Sequence, residues 1–142
     1  MRVDKEEEEI ASGLTIGQIA AKTGTSVETL RYYEKFGLLE APERTSANYR
    51  LFSKETIRVV KFIKKAQDLG FTLKDIKQLL YLYNSPTASD DDVKAISLAL
   101  LQDIDTRINT LNTMRTSLSE LVAQCAGAHP VKHCPILNAL DV

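Results

Sequence analysis

Thr15-Ile16-Gly17-Gln18-Ile19-Ala20-Ala21-Lys22-Thr23-Gly24-Thr25-Ser26-Val27-Glu28-Thr29-Leu30-Arg31-Tyr32-Tyr33-Glu34-Lys35-Phe36-Gly37 is the stretch that decides how this chain folds. Thr15 and Gln18 have capping-box spacing, in which the threonine hydroxyl accepts from an early backbone N–H and the glutamine reaches back. A helix is predicted to open there. Ile16, Ile19 and Ala20 give it an apolar stripe, and Gly24 supplies a sharp exit. Ser26 caps a second helix predicted to run to about Phe36, with Val27 and Leu30 facing back onto the first and Gly37 ending it. Two short helices joined through a tight turn containing glycine form a helix-turn-helix, although an ordinary helical hairpin has the same local signals.

From Leu38 to Phe52, Pro42 and several turn-forming residues argue against continued helix. A small two-stranded wing is predicted, with Arg44 and Arg50 on either side of Asn48-Tyr49, side chains suited to phosphate oxygens and a groove edge. Ser53 is predicted to cap a third helix with Ile57, Val60, Ile63, Ala66 and Leu69 inward. Its other face holds Lys54, Arg58, Lys61, Lys64 and Lys65, a surface for solvent or for a DNA backbone. Thr72 to Asp75 forms a second capping box, opening a helix whose inner stripe is Ile76, Leu79, Leu80 and Tyr83. The predicted organisation is an acidic, disordered leader over 1–13, a winged helix-turn-helix domain over 14–85, a long helix over 88–125 and a terminal loop with a short helix over 125–142.

The long helix has Leu100, Ile104, Ile108, Leu111, Met114, Leu118, Leu121 and Cys125 stepping by threes and fours, with no proline or glycine. That is a coiled-coil pattern. A preceding head of this size cannot cover such a seam, so it is predicted to pair with a second copy, most simply about a two-fold axis. Folding back onto its own head is the competing arrangement.

Both cysteines and both histidines lie in Cys125-Ala-Gly-Ala-His129-Pro-Val-Lys-His133-Cys134. Thiolate and imidazole are the donors that borderline and soft metal ions select. Metal binding is the favoured reading, with a disulfide or two small buried hydrophobes as the plain alternatives. Zinc(II) takes a tetrahedral set of nitrogen, sulfur and oxygen donors, whereas copper(I) is satisfied by two thiolates.

The charge of -1 divides unevenly. Residues 1–14 hold two basic and five acidic groups, 15–77 twelve and seven, and 78–142 four and seven, giving -3, +5 and -3. A basic segment in an acidic chain suits a nucleic-acid-binding module joined to another function. Glu6 to Glu9 occupy the place of a signal core, and no stretch is long enough to span a bilayer, so a cytoplasmic setting with reduced thiols is expected. No nucleophile–base constellation or phosphate-cradling glycine loop points to an enzyme. A cytosolic metal buffer leaves the wing unexplained, and a thiol-redox sensor is a minor variant.

Taken in order, the capped helix-turn-helix, Leu30-Arg31-Tyr32-Tyr33-Glu34 with Gly37-Leu38, the wing's Asn48-Tyr49-Arg50, the seam and Cys-x8-Cys-Pro resemble the MerR family of metal-responsive transcription regulators. The resemblance runs from about Leu14 to Leu140. It implies a mainly α fold: a winged helix-turn-helix DNA-binding domain, a long dimerisation helix in an antiparallel coiled coil, and a C-terminal metal-binding loop. It also implies a homodimer on double-stranded promoter DNA, distorting an overlong spacer for RNA polymerase when metal arrives, and no membrane partner. The positions matching DNA contacts are Thr15, Ser26, Thr29, Arg31, Tyr32, Asn48, Tyr49 and Arg50. Cys125 and Cys134 match the loop cysteines shared by mercury, zinc and copper sensors. Divalent sensors add a cysteine from the partner where this chain has Asp90, and copper(I) sensors have serine there. Zinc sensors tend to have a cysteine where Gln124 sits and a histidine matched by His129. The expected ligands are therefore Cys125, Cys134, His129 and either His133 or Asp90, holding zinc(II) or another divalent ion, with copper(I) as the alternative.

Overall fold

The structure, a computed structural model, describes residues 13–128 and 130–141. It divides into two units, Met1–Lys94 and Ala95–Val142. The predicted leader falls almost wholly outside the described residues.

The first unit opens with α1 (Ile16–Thr23) and α2 (Val27–Phe36). Thr15 and Gln18 form the full reciprocal cap on α1, with N···O distances of 2.9 and 3.2 Å. Ser26 caps α2 through the Thr29 N–H at 3.2 Å. The wing follows as β1 (Glu43–Arg44) and β2 (Arg50–Leu51), antiparallel, with Glu43 opposite Leu51 and Arg44 opposite Arg50. Its base is tied to the chain's entry: Leu14 and Phe52 exchange both backbone hydrogen bonds, at 2.8 and 2.7 Å. Gly13, at φ 117°, lies so close that an added Cβ would sit 2.8 Å from the Phe52 carbonyl oxygen.

Two longer helices, α3 (Glu55–Asp68) and α4 (Leu73–Tyr83), complete this unit. Ile19, Leu30, Val60, Ile63 and Ile76 are its most deeply buried large side chains, so each of the four helices contributes to one core. Two lysines lock α1 and α2 onto the longer helices. Lys64 Nζ on α3 donates to the Thr23 carbonyl at the end of α1, and Lys77 Nζ on α4 donates to the Phe36 carbonyl at the end of α2, each at 3.1 Å. A cation there satisfies a carbonyl that has no partner within its helix and lies at the negative end of the helix dipole. Gly37, at φ 88°, keeps the approach open, since a Cβ would lie 2.9 Å from Lys77 Nζ.

Three expectations for this unit are corrected. Ser53 is not a side-chain cap: Lys54 occupies the N-cap without a side-chain bond, and the Ser53 backbone carbonyl accepts from Thr56. Leu69 is exposed because α3 ends at Asp68, one residue before the stripe returns to the core. Tyr83, at the last residue of α4, is also exposed, with its ring 5.1 Å from the Arg58 guanidinium.

Thr25, in the turn between α1 and α2, has a buried Oγ1 with no hydrogen-bond partner among the described residues. Burying a hydroxyl unpaired costs about 1–3 kcal/mol. Thr25→Val keeps the shape and removes that cost, so urea unfolding should show a gain of about 1 kcal/mol; a loss would mean the hydroxyl is engaged.

Helix α5 (Asp90–Gln124) is continuous over 35 residues, and none of its residues is buried. Asp92 accepts from the Ser89 N–H at 3.0 Å, and Asp90, Asp91 and Asp92 place three carboxylates in the first turn, where the helix dipole favours them. After α5 the second unit ends in a 3-10 turn (Val131–His133), which the sequence did not suggest, and α6 (Pro135–Leu140). No helix among the described residues is long and apolar enough to cross a membrane.

Candidate DNA-contact face and metal centre

In the first unit α2 is divided by its own periodicity. Leu30 and Tyr33 are buried, and the Tyr33 hydroxyl donates to Gln67 Oε1 at 3.0 Å; burial pushes its pKa upward. Arg31 and Tyr32 are exposed, with the Tyr32 ring stacked on Phe36 at 6.2 Å between centroids. Thr15 and Ser26 are exposed at the N-termini of α1 and α2, positions whose unpaired amides suit phosphate oxygens. Ser26 also donates to Thr29 Oγ1 at 2.8 Å.

The wing tip turns through Asn48, at φ 67°, a left-handed conformation that asparagine tolerates better than most residues. Thr45 closes the tip through bonds with the backbone of Asn48 and Tyr49. Tyr49 projects outward, 68% exposed. Arg44 Nη1 donates to Asn48 Oδ1 at 2.9 Å, and Arg50 is ion-paired with Glu34 on α2. Glu34 as a tether of the wing was not foreseen, and neither was the capping role of Lys64. Each joins residues distant in sequence.

In the second unit Cys125 follows the last residue of α5, and Cys134 is the N-cap of α6. Gly127 and Ala128 turn the chain back in consecutive left-handed conformations, φ 71° and 59°. The two cysteines are brought together. The backbone amides of Leu137 and Ile136 at the start of α6, and more weakly the neighbouring Cys125 thiol, lower the Cys134 thiol below its ordinary range, against an opposing effect of burial. Cys125, Cys134 and His133 line one cleft of about 440 Å³. Among the described residues no third His, Cys, Asp or Glu joins the two thiols as a ligand group. His129 lies outside the described residues, and Asp90 opens α5 in the first unit.

The family described as "MerR HTH family regulatory protein" matches residues 14–82, and that described as "MerR, DNA binding" matches 57–121. The chain belongs to the MerR family. It is 37% identical over 125 residues to the mercuric resistance operon regulatory protein of Bacillus cereus, covering 88% of this chain and 95% of that relative. It is 31% identical over 127 residues to heavy metal-dependent transcription regulator 2 of Rhizobium meliloti, covering 89% and 86%. Among solved structures, the transcription regulator PbrR691 from Ralstonia metallidurans CH34 in complex with lead(II) matches with a TM-score of 0.82 and 31% identity, over 90% of this chain and 99% of that one. The expected fold therefore stands: a mainly helical MerR-type chain with a helix-turn-helix head and a long C-terminal helix. As a MerR-family member the chain is a DNA-binding transcription regulator and not an enzyme.

Proposed function

We propose that this MerR-family chain is a metal-responsive regulator that reads promoter DNA as a homodimer, with Cys125 and Cys134 as the core of its metal centre. The convergence of the two thiols carries this reading. A thiolate is the form that binds metal, and the amides of Leu137 and Ile136 lower the Cys134 thiol towards that form. The names of the mercuric, heavy-metal and lead(II) relatives support the class of effector.

The donor chemistry suits zinc(II) or a similar divalent ion if His129 and either His133 or Asp90 of the partner subunit complete the set. A second reading is copper(I), favoured by the pair of thiols that no third described donor joins. On the DNA side, Thr15, Ser26, Thr29, Arg31, Tyr32, Asn48 and Tyr49 offer hydroxyl, amide, guanidinium and ring contacts from α1, α2 and the wing; Arg50 is engaged with Glu34. The two heads of the dimer engage successive major grooves and, with metal bound, distort the spacer so that RNA polymerase starts. Solvent-exposed DNA contacts and reduced thiols fit a cytoplasmic setting.

The test is a titration of anaerobically purified protein with zinc(II) and with copper(I), each against a competing chelator, combined with transcription from the bound promoter. Zinc(II) binding with transcriptional activation is the expected result. Tight copper(I) binding that alone activates would move the assignment to copper(I), and silence with every thiophilic ion would remove the metal-response reading.

A further inference from the structure

The wing holds its two arginines in an unusual way. Arg44 and Arg50 are register partners in the β1–β2 ladder, so both side chains leave the same face of a two-stranded hairpin. Like charges directly opposite repel, and each guanidinium is held by an acceptor of this chain: Asn48 Oδ1 for Arg44, the Glu34 carboxylate for Arg50. The two acceptors differ in kind. Asn48 is neutral and belongs to the wing tip, so Arg44 keeps its full charge for a phosphate. Glu34 is anionic, belongs to α2, and is the more sheltered member of its pair, with its side chain 20% exposed against 44% for Arg50.

We propose that Glu34 is a specificity-determining positioning residue that ties the wing to the recognition helix and keeps Arg50 off the DNA backbone, limiting affinity for non-operator DNA. This rests on the promoter-binding reading. A cation placed on phosphate strengthens binding to any sequence, because the counterion it releases is indifferent to the bases. A cation neutralised at the junction of α2 and β2 adds no such affinity, and it fixes the angle at which wing and helix meet the duplex.

The experiment measures binding of the full chain to its operator and to a random duplex across a salt series, with circular dichroism confirming the fold of each variant. Each phosphate neutralised contributes about 0.9 to the slope of log K against log salt. Glu34→Gln should steepen the slope on random DNA by about 0.9 per protomer and lower the operator-to-random ratio. Arg50→Gln alone should leave the slope unchanged, and in combination with Glu34→Gln should restore the original slope. An unchanged slope in Glu34→Gln overturns the proposal. So does a slope flattened by Arg50→Gln alone, which would place Arg50 on phosphate already. A parent chain with no salt-dependent binding to either duplex would instead overturn the promoter-binding reading on which the proposal stands.

Discussion

Cys125→Ser abolishes metal-dependent transcription and leaves operator binding in gel shifts close to that of the parent chain. Serine oxygen is a hard donor that stays protonated at neutral pH, so the substitution leaves Cys134 as the one sulfur donor and removes the pairing on which the proposed centre depends. The proposed DNA-contact residues all belong to the unit 1–94, and the members of the buried core cluster, all in that unit, do not include Cys125. The informative result is the difference between the two readouts. Loss of basal operator binding in Cys125→Ser would show that the cysteine supports the reader itself, contradicting the separation of sensing from reading.

The second large effect lies along α5. Ile108, Leu111, Met114 and Leu118 are each about half exposed or more, and they follow one another at seam spacing. An exposed apolar stripe of that length calls for a partner surface. Leu111→Lys together with Leu118→Lys removes four leucines from the proposed homodimer interface. At roughly 1.5 kcal/mol for each buried leucine this amounts to about 6 kcal/mol, or about four orders of magnitude in the dimer constant, before the lysines' own desolvation is counted. Light scattering should find monomers at micromolar concentration, and the two-half-site operator should lose its high-affinity complex. A dimer that survives the double substitution would show that the seam is not the contact between copies.

The sequence revealed this fold where its determinants are local. The capping boxes at Thr15 and Thr72 and the glycines ending α1 and α2 act within four or five residues, and all appear as predicted. Periodicity placed Ile19, Leu30, Val60, Ile63 and Ile76 inward, but it overran the helix ends at Leu69 and Tyr83, where the backbone turns away before the pattern does. At the site, the composition of the terminal loop pointed to the pair of thiols. It did not show that Cys134 stands at the N-cap of a short helix, where the amides of Leu137 and Ile136 act on its thiol, because that depends on how the loop folds back onto α6. Arg50 was legible as a cation for phosphate; Glu34, sixteen residues earlier, becomes its partner only once the wing lies against α2.

The lysine locks on α1 and α2 have a consequence for synthesis. Each joins a carbonyl to an ammonium 41 residues further along the chain, so α1 and α2 gain these bonds only once Lys64 and Lys77 have emerged from the ribosome. A nascent chain stopped after the wing has the residues proposed to touch a duplex but lacks Val60, Ile63 and Ile76, the buried side chains that complete the core beneath α1 and α2. Competence to recognise an operator is thereby expected only once α3 and α4 have been made and packed.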